Sequence, residues 1–360
     1  MSNNDTDHPK ITILDVASKT GVSVSTVSRV LSNPSYPVAR ATREKVLQAV
    51  EELGYKPSPG SQQNRTASRE IGVILPNITN PFYSTALMGI EKECLQNGYD
   101  ILLYNSFRDP EHEQNLLASL AKRGVEGVII SSMQQDGAGL KDFASQGMKM
   151  VLLDQKIEGI ECHISFEYRE GASNAVTYLH GLGHRDIYLA TTPLTRWTRR
   201  EIFEGYKRGL ARAGIEYKED MLISDEKEGE TDEEHIYEHE CGKRLAQKLL
   251  ERSRKPTAVL CVNDMVAFGL IQELHANHVR VPGDISVIGF DDISFAAMFS
   301  PALTTVRCPI MEIGRLAAQF LHQQLTRTGG FSLGVKLEAM LVTRDSTGPV
   351  PGVENPVGLA

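Results

Sequence analysis

Apolar residues recur at helical spacing in residues 11–55, and this periodicity predicts three short helices. The apolar faces are Ile13, Val16 and Ala17 in the first helix, Val27, Val30 and Leu31 in the second, and Val46, Leu47, Val50 and Leu53 in a third helix at about residues 42–53. Packing these faces against one another would give a small all-α unit at the start of the chain.

The segment between the first two helices has the residues of a tight turn. Gly21 ends the first helix, where a residue free to adopt positive φ is favoured, and Ser23 is placed to cap the second. The second helix then exposes small hydroxyls and one arginine: Ser25, Thr26, Ser28 and Arg29. Such a face suits the major groove of DNA, because hydroxyls reach bases or phosphates and arginine can bind guanine through two hydrogen bonds. The alternative is an ordinary helical bundle.

From residue 71 onward the chain alternates short apolar runs with helical patterns. The predicted strands are 71–75, 101–104, 127–130, 150–153, 187–190, 258–262 and 285–289. The predicted helices are 83–96, 111–122, 169–182, 200–213, 240–252 and 265–277. This alternation indicates an α/β fold with doubly wound parallel sheets, and a break near residues 154–164 indicates two lobes.

Charge separates the amino-terminal region from the remainder. Residues 1–69 carry nine Lys or Arg and six Asp or Glu, a net charge of +3, so the rest of a chain of net charge −8 carries −11. This difference in charge indicates that the basic amino-terminal region, and not the acidic remainder, binds phosphates.

Composition excludes several other classes of protein. No apolar run approaches the length of a membrane-spanning helix, and the polar, acidic residues 2–8 are unlike a signal peptide. Five scattered cysteines, an odd number without metal-ligand spacing, favour reduced thiols in the cytoplasm. We therefore expect a cytoplasmic protein with no metal, cofactor or membrane partner.

Three motifs near the amino terminus resemble the headpiece of the lac repressor family. They are Thr-Ile-x-Asp-Val-Ala from residue 12, Gly-Val-Ser-x-Ser-Thr-Val-Ser-Arg-Val-Leu from residue 21, and Thr-Arg-Glu-x-Val-x-x-Ala-Val-Glu-x-Leu-Gly-Tyr-x-Pro from residue 42. The resemblance implies a helix-turn-helix headpiece at residues 1–57 that binds double-stranded operator DNA. The residues expected to contact DNA are Thr12, Ser23, Val24, Ser25, Thr26, Ser28, Arg29, Asn33, Tyr55 and Asn64.

Two positions depart from the family pattern. Ala39 stands where the family has a capping serine for the third helix, and losing such a cap costs about 1 kcal/mol. Residues 58–69 read as the family's hinge, which there forms a short helix and inserts a leucine into the minor groove. Here Asn64 falls at the leucine position, so we expect a smaller kink, with Asn64 or Arg65 contacting the minor groove.

The resemblance extends over about residues 10–345 and implies a core built like a periplasmic sugar-binding protein. Its motifs include Asn-Asp-Met-Val-Ala-Phe-Gly from residue 263 and Val-Pro-Gly-Asp-Ile-Ser-Val-Ile-Gly-Phe-Asp-Asp from residue 281. The implied effector-binding and dimerisation core is residues 70–345, with an N-lobe of about 70–158 and 292–324 and a C-lobe of about 162–290 and 328–345. Crossings between the lobes are expected near 155–162, 290–293 and 322–330, and residues 346–360 resemble a disordered tail.

Ligands of open parallel sheets bind beyond the carboxyl ends of the strands. The residues that follow the predicted strands are Asn77, Asn80, Phe82, Tyr83, Asn105, Arg108, Ser131, Asp154, Thr195, Arg196, Trp197, Asn263, Asp264 and Asp291. Their amides, charges and aromatic rings suit a polyhydroxylated ligand, although Asn263 and Asp264 could equally cap the following helix. The family resemblance selects Phe82, Tyr83, Asp154, Asn263 and Asp291.

The arginine with which relatives grip the effector is replaced here by Ile202, three residues before Gly205. Arg199 and Arg200 lie nearby and could substitute for it. The predicted effector-binding set is Asn80, Phe82, Tyr83, Asp154, Trp197, Arg200, Asn263 and Asp291.

Residues 216–240 form an acidic segment, with twelve Asp or Glu against Lys218 and Lys227. Charge runs of this kind are usually solvated loops. The segment contains a His-x-x-Glu-His pattern at residues 235–239, which is typical of zinc proteases but short enough to occur by chance. A surface site for a divalent metal or a partner is the other interpretation.

The sequence as a whole predicts a homodimeric transcriptional repressor, not an enzyme, that responds to a small effector, a sugar or a sugar derivative. One alternative is a catabolite-type regulator controlled by a phosphoprotein partner, although Asp292-Ile-Ser-Phe-Ala-Ala297 lacks the basic residue usual there. The other is a sugar-binding or sugar-processing protein that does not bind DNA.

Overall fold

The computed structural model of the protein describes residues 11–32, 37–55, 69–225, 236–327 and 332–350. They divide into two compact units, a headpiece before residue 69 and a core that begins at Arg69. Within these ranges no helix has both the length and the apolar character needed to cross a membrane.

The headpiece consists of helices α1 (Ile13–Thr20), α2 (Val24–Ser32) and α3 (Arg40–Leu53). Gly21 ends α1 at a φ of 67°, and its N–H donates to the Ala17 carbonyl. Ser23 caps α2, since its Oγ accepts from the Thr26 N–H at 3.2 Å. Helix α3 begins without a side-chain cap, as expected from alanine at position 39.

The predicted apolar faces form the headpiece core, with one exception. Val16, Val27 and Val46 are fully buried, whereas the side chain of Leu47 is 48% exposed. The expectation that Leu47 packs against the other helices is wrong, because one residue step turns a side chain about 100° around a helix axis. Leu47 therefore leaves the face that Val46 and Val50 share.

The core alternates strands and helices, as the apolar pattern predicted. Its first elements are β1 (Arg69–Leu75), α4 (Pro81–Gln96), β2 (Tyr99–Asn105), α5 (Pro110–Lys122), β3 (Gly127–Ile130), α6 (Ala138–Ser145), β4 (Lys149–Leu153), β5 (Cys162–Phe166), α7 (Tyr168–Gly181), β6 (Ile187–Thr191), α8 (Trp197–Arg212) and β7 (Leu222–Ser224). They are followed by α9 (Tyr237–Leu250), β8 (Ala258–Cys261), α10 (Asp264–Ala276), β9 (Ser286–Asp291), β10 (Thr304–Arg307), α11 (Ile310–Thr326), β11 (Leu333–Leu337) and β12 (Met340–Val342).

Two six-stranded sheets define the two lobes. The N-lobe sheet has the order β11-β5-β4-β3-β1-β2, and the C-lobe sheet has the order β12-β10-β9-β8-β6-β7. The described strands pair in parallel except β10 with β12, so each sheet presents the carboxyl ends of its strands along one edge. This confirms the predicted α/β fold of doubly wound parallel sheets preceded by an all-α headpiece.

The chain crosses between the lobes after β5, after β10 and after β11. These points differ from the expected crossings near 155–162, 290–293 and 322–330. Residues 162–166 and 333–337 lie in the N-lobe sheet, and residues 304–307 lie in the C-lobe sheet, opposite to the predicted division. The reason is that the sheet to which a short strand belongs depends on a partner distant in the sequence, which a local apolar pattern does not reveal.

The segment predicted to be a disordered tail begins as an ordered part of the C-lobe. Ser346 is fully buried, and its Oγ donates to the Val287 carbonyl at 2.6 Å and accepts from the Thr304 N–H at 2.8 Å. The Gly348 carbonyl lies 2.9 Å from Nε2 of His184. The tail prediction is therefore wrong for residues 346–350, and residues 351–360 lie outside the described ranges.

Helices α9 and α10 approach each other so closely that glycine is required on both. A Cβ placed on Gly242 would lie 2.2 Å from the Val266 carbonyl oxygen, and a Cβ on Gly269 would lie 1.9 Å from that of His239. This contact fixes the first turn of α9 relative to the C-lobe sheet.

Candidate functional site

The outer face of α2 carries the residues predicted to enter the major groove. Ser25, Ser28 and Arg29 are exposed, and Val24 is 37% exposed. The Oγ atom of Ser23 lies 2.8 Å from the hydroxyls of both Ser25 and Thr26, so these hydroxyls form one hydrogen-bonded group at the start of the helix. The residues therefore share one accessible face, which is the arrangement that groove recognition requires.

The other residues predicted to contact DNA differ in their exposure. Thr12 is exposed, and it closes a capping box with Asp15 in which its N–H donates to Oδ2 at 2.7 Å. Tyr55 is only 9% exposed and packs in the headpiece core, so the prediction that it lies at the DNA surface is corrected. Asn33 and Asn64 lie outside the described residues.

The core has a cleft between its lobes, and the carboxyl ends of strands from both sheets meet there. Asp154 follows β4 and Asp291 ends β9, and both adopt left-handed backbone conformations, with φ values of 60° and 112°. Residues other than glycine adopt such values rarely, and they cluster at ligand-binding sites when they occur. The two aspartates therefore mark the cleft as the candidate effector site.

Asp154 connects the lobes at this cleft. The Tyr168 hydroxyl at the start of α7 donates to Oδ1 of Asp154. Burial raises the pKa of Asp154 to about 6, an increase opposed by the nearby guanidinium of Arg196 and the Tyr168 hydrogen bond. A carboxyl with this pKa can exchange a proton near neutral pH.

Arg196, immediately before α8, reaches from the C-lobe into the N-lobe. Its Nη1 donates to the Tyr83 hydroxyl at 2.8 Å, and its Nη2 donates to Oγ of Ser131 at 3.2 Å. The side chain is buried, and its charge faces the Asp154 carboxylate. Arg196 stood among the residues that follow strands but not in the predicted effector-binding set, and its geometry adds it to the site.

Asp291 provides a carboxylate that forms no hydrogen bond to the described residues. Its backbone belongs to the β9–β10 ladder, opposite Arg307, and its carbonyl also accepts from the Cys308 N–H at 3.2 Å. Burial raises the pKa of Asp291 well above its ordinary value, and the nearby carboxylates of Asp264 and Asp154 raise it further, while Arg199 opposes the increase. A buried carboxyl without a protein partner is better explained as a hydrogen-bonding group for a ligand hydroxyl than as a residue that stabilises the fold.

Of the neighbouring Arg199 and Arg200, Arg199 is the one whose charge acts on both cleft aspartates. Arg200 is exposed, and its guanidinium donates to the carbonyls of Leu194 and Thr195 in its own loop. Arg199 is 8% exposed, donates to Oγ1 of Thr192 at 3.1 Å, and opposes the raised pKa of both aspartates. Arg200 lines the small cavity beside Trp197, so its place in the effector site stays a prediction, and Ile202 is fully buried in the core.

Two of the predicted amides cap helices. Oδ1 of Asn263 accepts from the Val266 N–H at 2.8 Å, which caps α10. Oδ1 of Asn80 accepts from the Phe82 N–H at 3.0 Å and caps α4, while its Nδ2 donates across the cleft to Glu238 at 2.9 Å. Capping occupies one end of each amide, so Asn263 retains its Nδ2 for a ligand.

Aromatic rings from both lobes line the same cleft. Trp197 and Tyr168 meet edge to face with centroids 6.1 Å apart, and Phe82 and Tyr83 meet similarly at 5.2 Å. Beside Trp197 lies a small cavity of about 10 Å³, which has room for roughly one water molecule. This cavity is lined by residues of both lobes, including Gln155 of the N-lobe and Arg196 of the C-lobe.

Glu238 is a cleft residue that the sequence analysis did not identify. It belongs to the His-x-x-Glu-His pattern, but its buried carboxylate pairs with Arg108 of the N-lobe. His235 lies outside the described residues, and His239 contacts Glu240 at 3.3 Å. The interpretation of the acidic segment as a solvated loop is therefore wrong at Asp225 and Glu238, which are both buried. The helical apolar spacing after residue 236 could have placed Glu238 in α9.

Comparison with known proteins agrees with both units. Residues 12–58 match the family model described as bacterial regulatory proteins, lacI family, and residues 176–347 match that of the periplasmic binding protein-like domain. An HTH-type transcriptional repressor PurR of Vibrio parahaemolyticus serotype O3:K6 (strain RIMD 2210633) is 33% identical over 317 residues, which cover 87% of this chain and 92% of the relative.

Solved structures of other regulators are also similar to most of this chain. The lac repressor dimer bound to operator and the anti-inducer ONPF is 27% identical with a TM-score of 0.70, covering 94% of this chain and 99% of that one. The complex of the transcriptional regulator CelR with cellobiose is 26% identical with a TM-score of 0.69, covering 93% and 99%. The headpiece motifs, the two-lobed core and the repressor relatives agree, and the chain belongs to the lacI family of bacterial regulatory proteins.

Proposed function

We propose that this protein is a cytoplasmic, DNA-binding transcriptional repressor whose operator affinity is set by a small polyhydroxylated effector bound between the lobes. The observation that carries the effector site is the convergence of Asp154, Arg196 and Asp291 on one buried cleft formed from both lobes. Because the site draws residues from each lobe, a ligand that contacts them sets the angle between the lobes.

A carbohydrate or carbohydrate derivative fits this cleft best. Carboxylates and guanidiniums form paired hydrogen bonds with vicinal hydroxyls, and the rings of Trp197 and Tyr83 offer apolar faces. The similar regulator CelR binds cellobiose, which supports this class of ligand. The direction of the response, induction or co-repression, depends on which lobe angle the ligand favours.

The headpiece supplies the DNA contacts, with Ser25, Ser28 and Arg29 of α2 directed at base edges and backbone. One such helix makes few contacts, so tight binding requires a homodimer that contacts two half-sites about one helical turn apart. The similar lac repressor is a dimer on its operator, which supports this assembly. Strand β1 begins at Arg69, directly after the linker, so the N-lobe receives the chain from the headpiece.

The single tryptophan of the chain, Trp197, makes a direct test possible because it lies in the cleft. Titration with cellobiose, ribose and other simple sugars should change its fluorescence for the effector class alone. The same sugar should shift binding of the full chain to DNA from upstream of its own gene, measured by fluorescence anisotropy.

Trp197→Phe serves as the optical control, since it removes the signal while anisotropy still reports DNA binding. Failure of the full chain to bind that DNA at low salt contradicts the repressor function. DNA binding that no sugar alters contradicts only the proposed effector class.

A further inference from the structure

One carboxylate of the C-lobe is held by two side chains of the N-lobe. Glu238, in the first turn of α9, accepts at Oε1 from the guanidinium of Arg108 and from Nδ2 of Asn80, the latter at 2.9 Å. The Arg108 guanidinium also lies 4.8 Å from the ring centroid of Tyr237. Glu238 is 1% exposed and Arg108 8% exposed, so water is excluded from the pair.

The pair lies far from the crossings that join the lobes. The N-lobe crossings leave from β5 and β11 at one end of that sheet, whereas Arg108 follows β2 at the other end. In the C-lobe, β10 and β12 lie at the crossing end, whereas Glu238 follows β7 at the opposite end. A contact at this distance from a hinge has the longest lever arm, so it resists opening more than an equal contact near the crossings.

The backbone around Arg108 is arranged for this contact at some conformational cost. Phe107 and Arg108 have φ values of 51° and 62°, in the left-handed region that residues other than glycine rarely adopt. Such strain persists only where the surrounding structure imposes it, and it concentrates at switches and ligand clamps. Here it directs a guanidinium out of the N-lobe towards α9.

The bond is suited to a reversible contact. Burial alone would raise the pKa of Glu238, but the charge of Arg108 holds it below its ordinary value, so the carboxylate is ionised at neutral pH. Opening the cleft would return both charges to water, and this hydration offsets much of the lost attraction. Nε of Arg108 and Oε2 of Glu238 have no hydrogen-bond partner in the described residues, which leaves the contact incomplete.

We propose that Glu238, Arg108 and Asn80 form a latch that holds the two lobes closed without an effector. The latch consists entirely of protein side chains, so closure does not depend on which ligand the cleft binds. An effector would then act by completing the latch or by competing with it, and the operator affinity of the protein alone would be that of the closed form.

The latch can be tested on the full chain by the distance between spin labels on the two lobes. The five native cysteines are buried, so cysteines introduced at exposed Gln135 of the N-lobe and Glu204 of the C-lobe can be labelled selectively. Double electron–electron resonance, with no sugar added, should show one predominant short distance. A predominantly long distance in this protein overturns the proposal.

Glu238→Gln removes the charge of the latch and should raise the ratio of open to closed protein by about tenfold. Arg108→Asn provides a second variant, because asparagine tolerates a left-handed backbone but does not extend to Glu238. The matched control is Asp225→Asn, since Asp225 is also a buried, arginine-paired carboxylate but lies within the C-lobe, with Nε of the partly exposed Arg244 2.8 Å from its Oδ2.

Opening in both latch variants, with Asp225→Asn still closed, supports the latch. An unchanged distance distribution in Glu238→Gln and Arg108→Asn overturns it. Equal opening in Asp225→Asn also overturns it, because the effect would then follow from loss of any buried charge. These outcomes are independent of the effector class, since no sugar is present.

Discussion

Tyr168 donates its phenolic hydrogen to Asp154, which joins the first residue of α7 in the C-lobe to the residue that follows β4 in the N-lobe. Tyr168 begins α7 directly after the crossing from β5, so this bond lies beside the hinge. Both side chains are nearly inaccessible to water, with exposures of 3% and 5%. A change in the protonation of Asp154 therefore alters a contact beside the hinge between the lobes.

Asp154→Asn should flatten the pH dependence of stability. The pKa of Asp154 is raised from 3.8 to about 6, so between these values the native state holds a proton that the unfolded chain has lost. The free energy of unfolding therefore falls as pH rises through this window, by roughly 3 kcal/mol at most for this group. The variant should lack that decrease in urea unfolding measured at pH 4.5 and at pH 7.

Asn tolerates the left-handed backbone of Asp154, so the substitution should preserve the turn. Asp100→Asn, at an exposed position, is the control and should leave the slope unchanged. An identical pH slope in Asp154→Asn and the unsubstituted protein would contradict the assignment.

Asp291→Asn should weaken effector binding by about tenfold or more and leave operator affinity unchanged. A buried polar group left without its partner costs about 1–3 kcal/mol, and the Asp291 carboxyl forms no side-chain hydrogen bond to the described residues that would compete with a ligand hydroxyl. The melting temperature should not fall, because nearby carboxylates already disfavour this charge. Trp197 fluorescence titration, operator anisotropy and calorimetry measure the three quantities.

The neighbouring residue provides a contrasting control. Asp292 accepts from Nε of Arg307 at 2.6 Å and from Nη2 of Arg344 at 2.6 Å, so it braces the C-lobe. Asp292→Asn should lower the melting temperature. If Asp291→Asn instead behaves like Asp292→Asn, Asp291 has a bracing role.

Arg29→Ala should reduce operator affinity by about 1–3 kcal/mol and relax the preference at one base pair, if Arg29 forms a bidentate contact with guanine. Lys45→Ala removes the same charge from an exposed position on α3 and serves as the control. Anisotropy against operators substituted at each position distinguishes the two. An equal loss on every DNA sequence would show that Arg29 contacts phosphate only.

Gly242→Ala should destabilise the core by about 1–3 kcal/mol or more, because the new Cβ would lie 2.2 Å from the Val266 carbonyl oxygen. Gly181→Ala is the matched control at the last residue of α7, where no atom lies within 4 Å of the new Cβ, and it should raise the free energy of unfolding by less than the roughly 1 kcal/mol typical of a helix interior. Urea unfolding of both variants gives opposite signs if the close packing of α9 on α10 is correct.

The sequence predicts the headpiece closely because its contacts are local. Gly21 and Ser23 mark the turn, and the apolar spacing of α1 and α2 is complete within a few residues. In the core, α11 was missed although Ile310, Ile313 and Ala317 repeat at helical spacing and are buried. The apolar pattern does not predict the short strands β5, β10 and β11, and their residues lie in the lobe opposite to the predicted one, since their pairing partners lie far away along the chain.

The residues of the candidate site also differ in how far local sequence predicts their positions. Asp154, Tyr83 and Asp291 follow apolar strands, so topology alone predicts their place at the cleft. Glu238 lies within the acidic segment instead, and nothing local distinguishes a buried ion-pairing glutamate from a solvated one. Arg199 and Arg200 differ by helix phase, because one residue separates a buried side chain that faces the aspartates from an exposed one at the edge of the cavity beside Trp197.

The interleaving of the two lobes along the chain has a consequence for synthesis. The N-lobe sheet needs β11, and the C-lobe needs Ser346 beneath β9, so neither lobe is complete until almost all of the chain to residue 350 has left the ribosome. The headpiece, formed by consecutive residues, can fold long before this. A nascent chain therefore acquires its DNA-recognition helix first and its capacity to respond to a signal last.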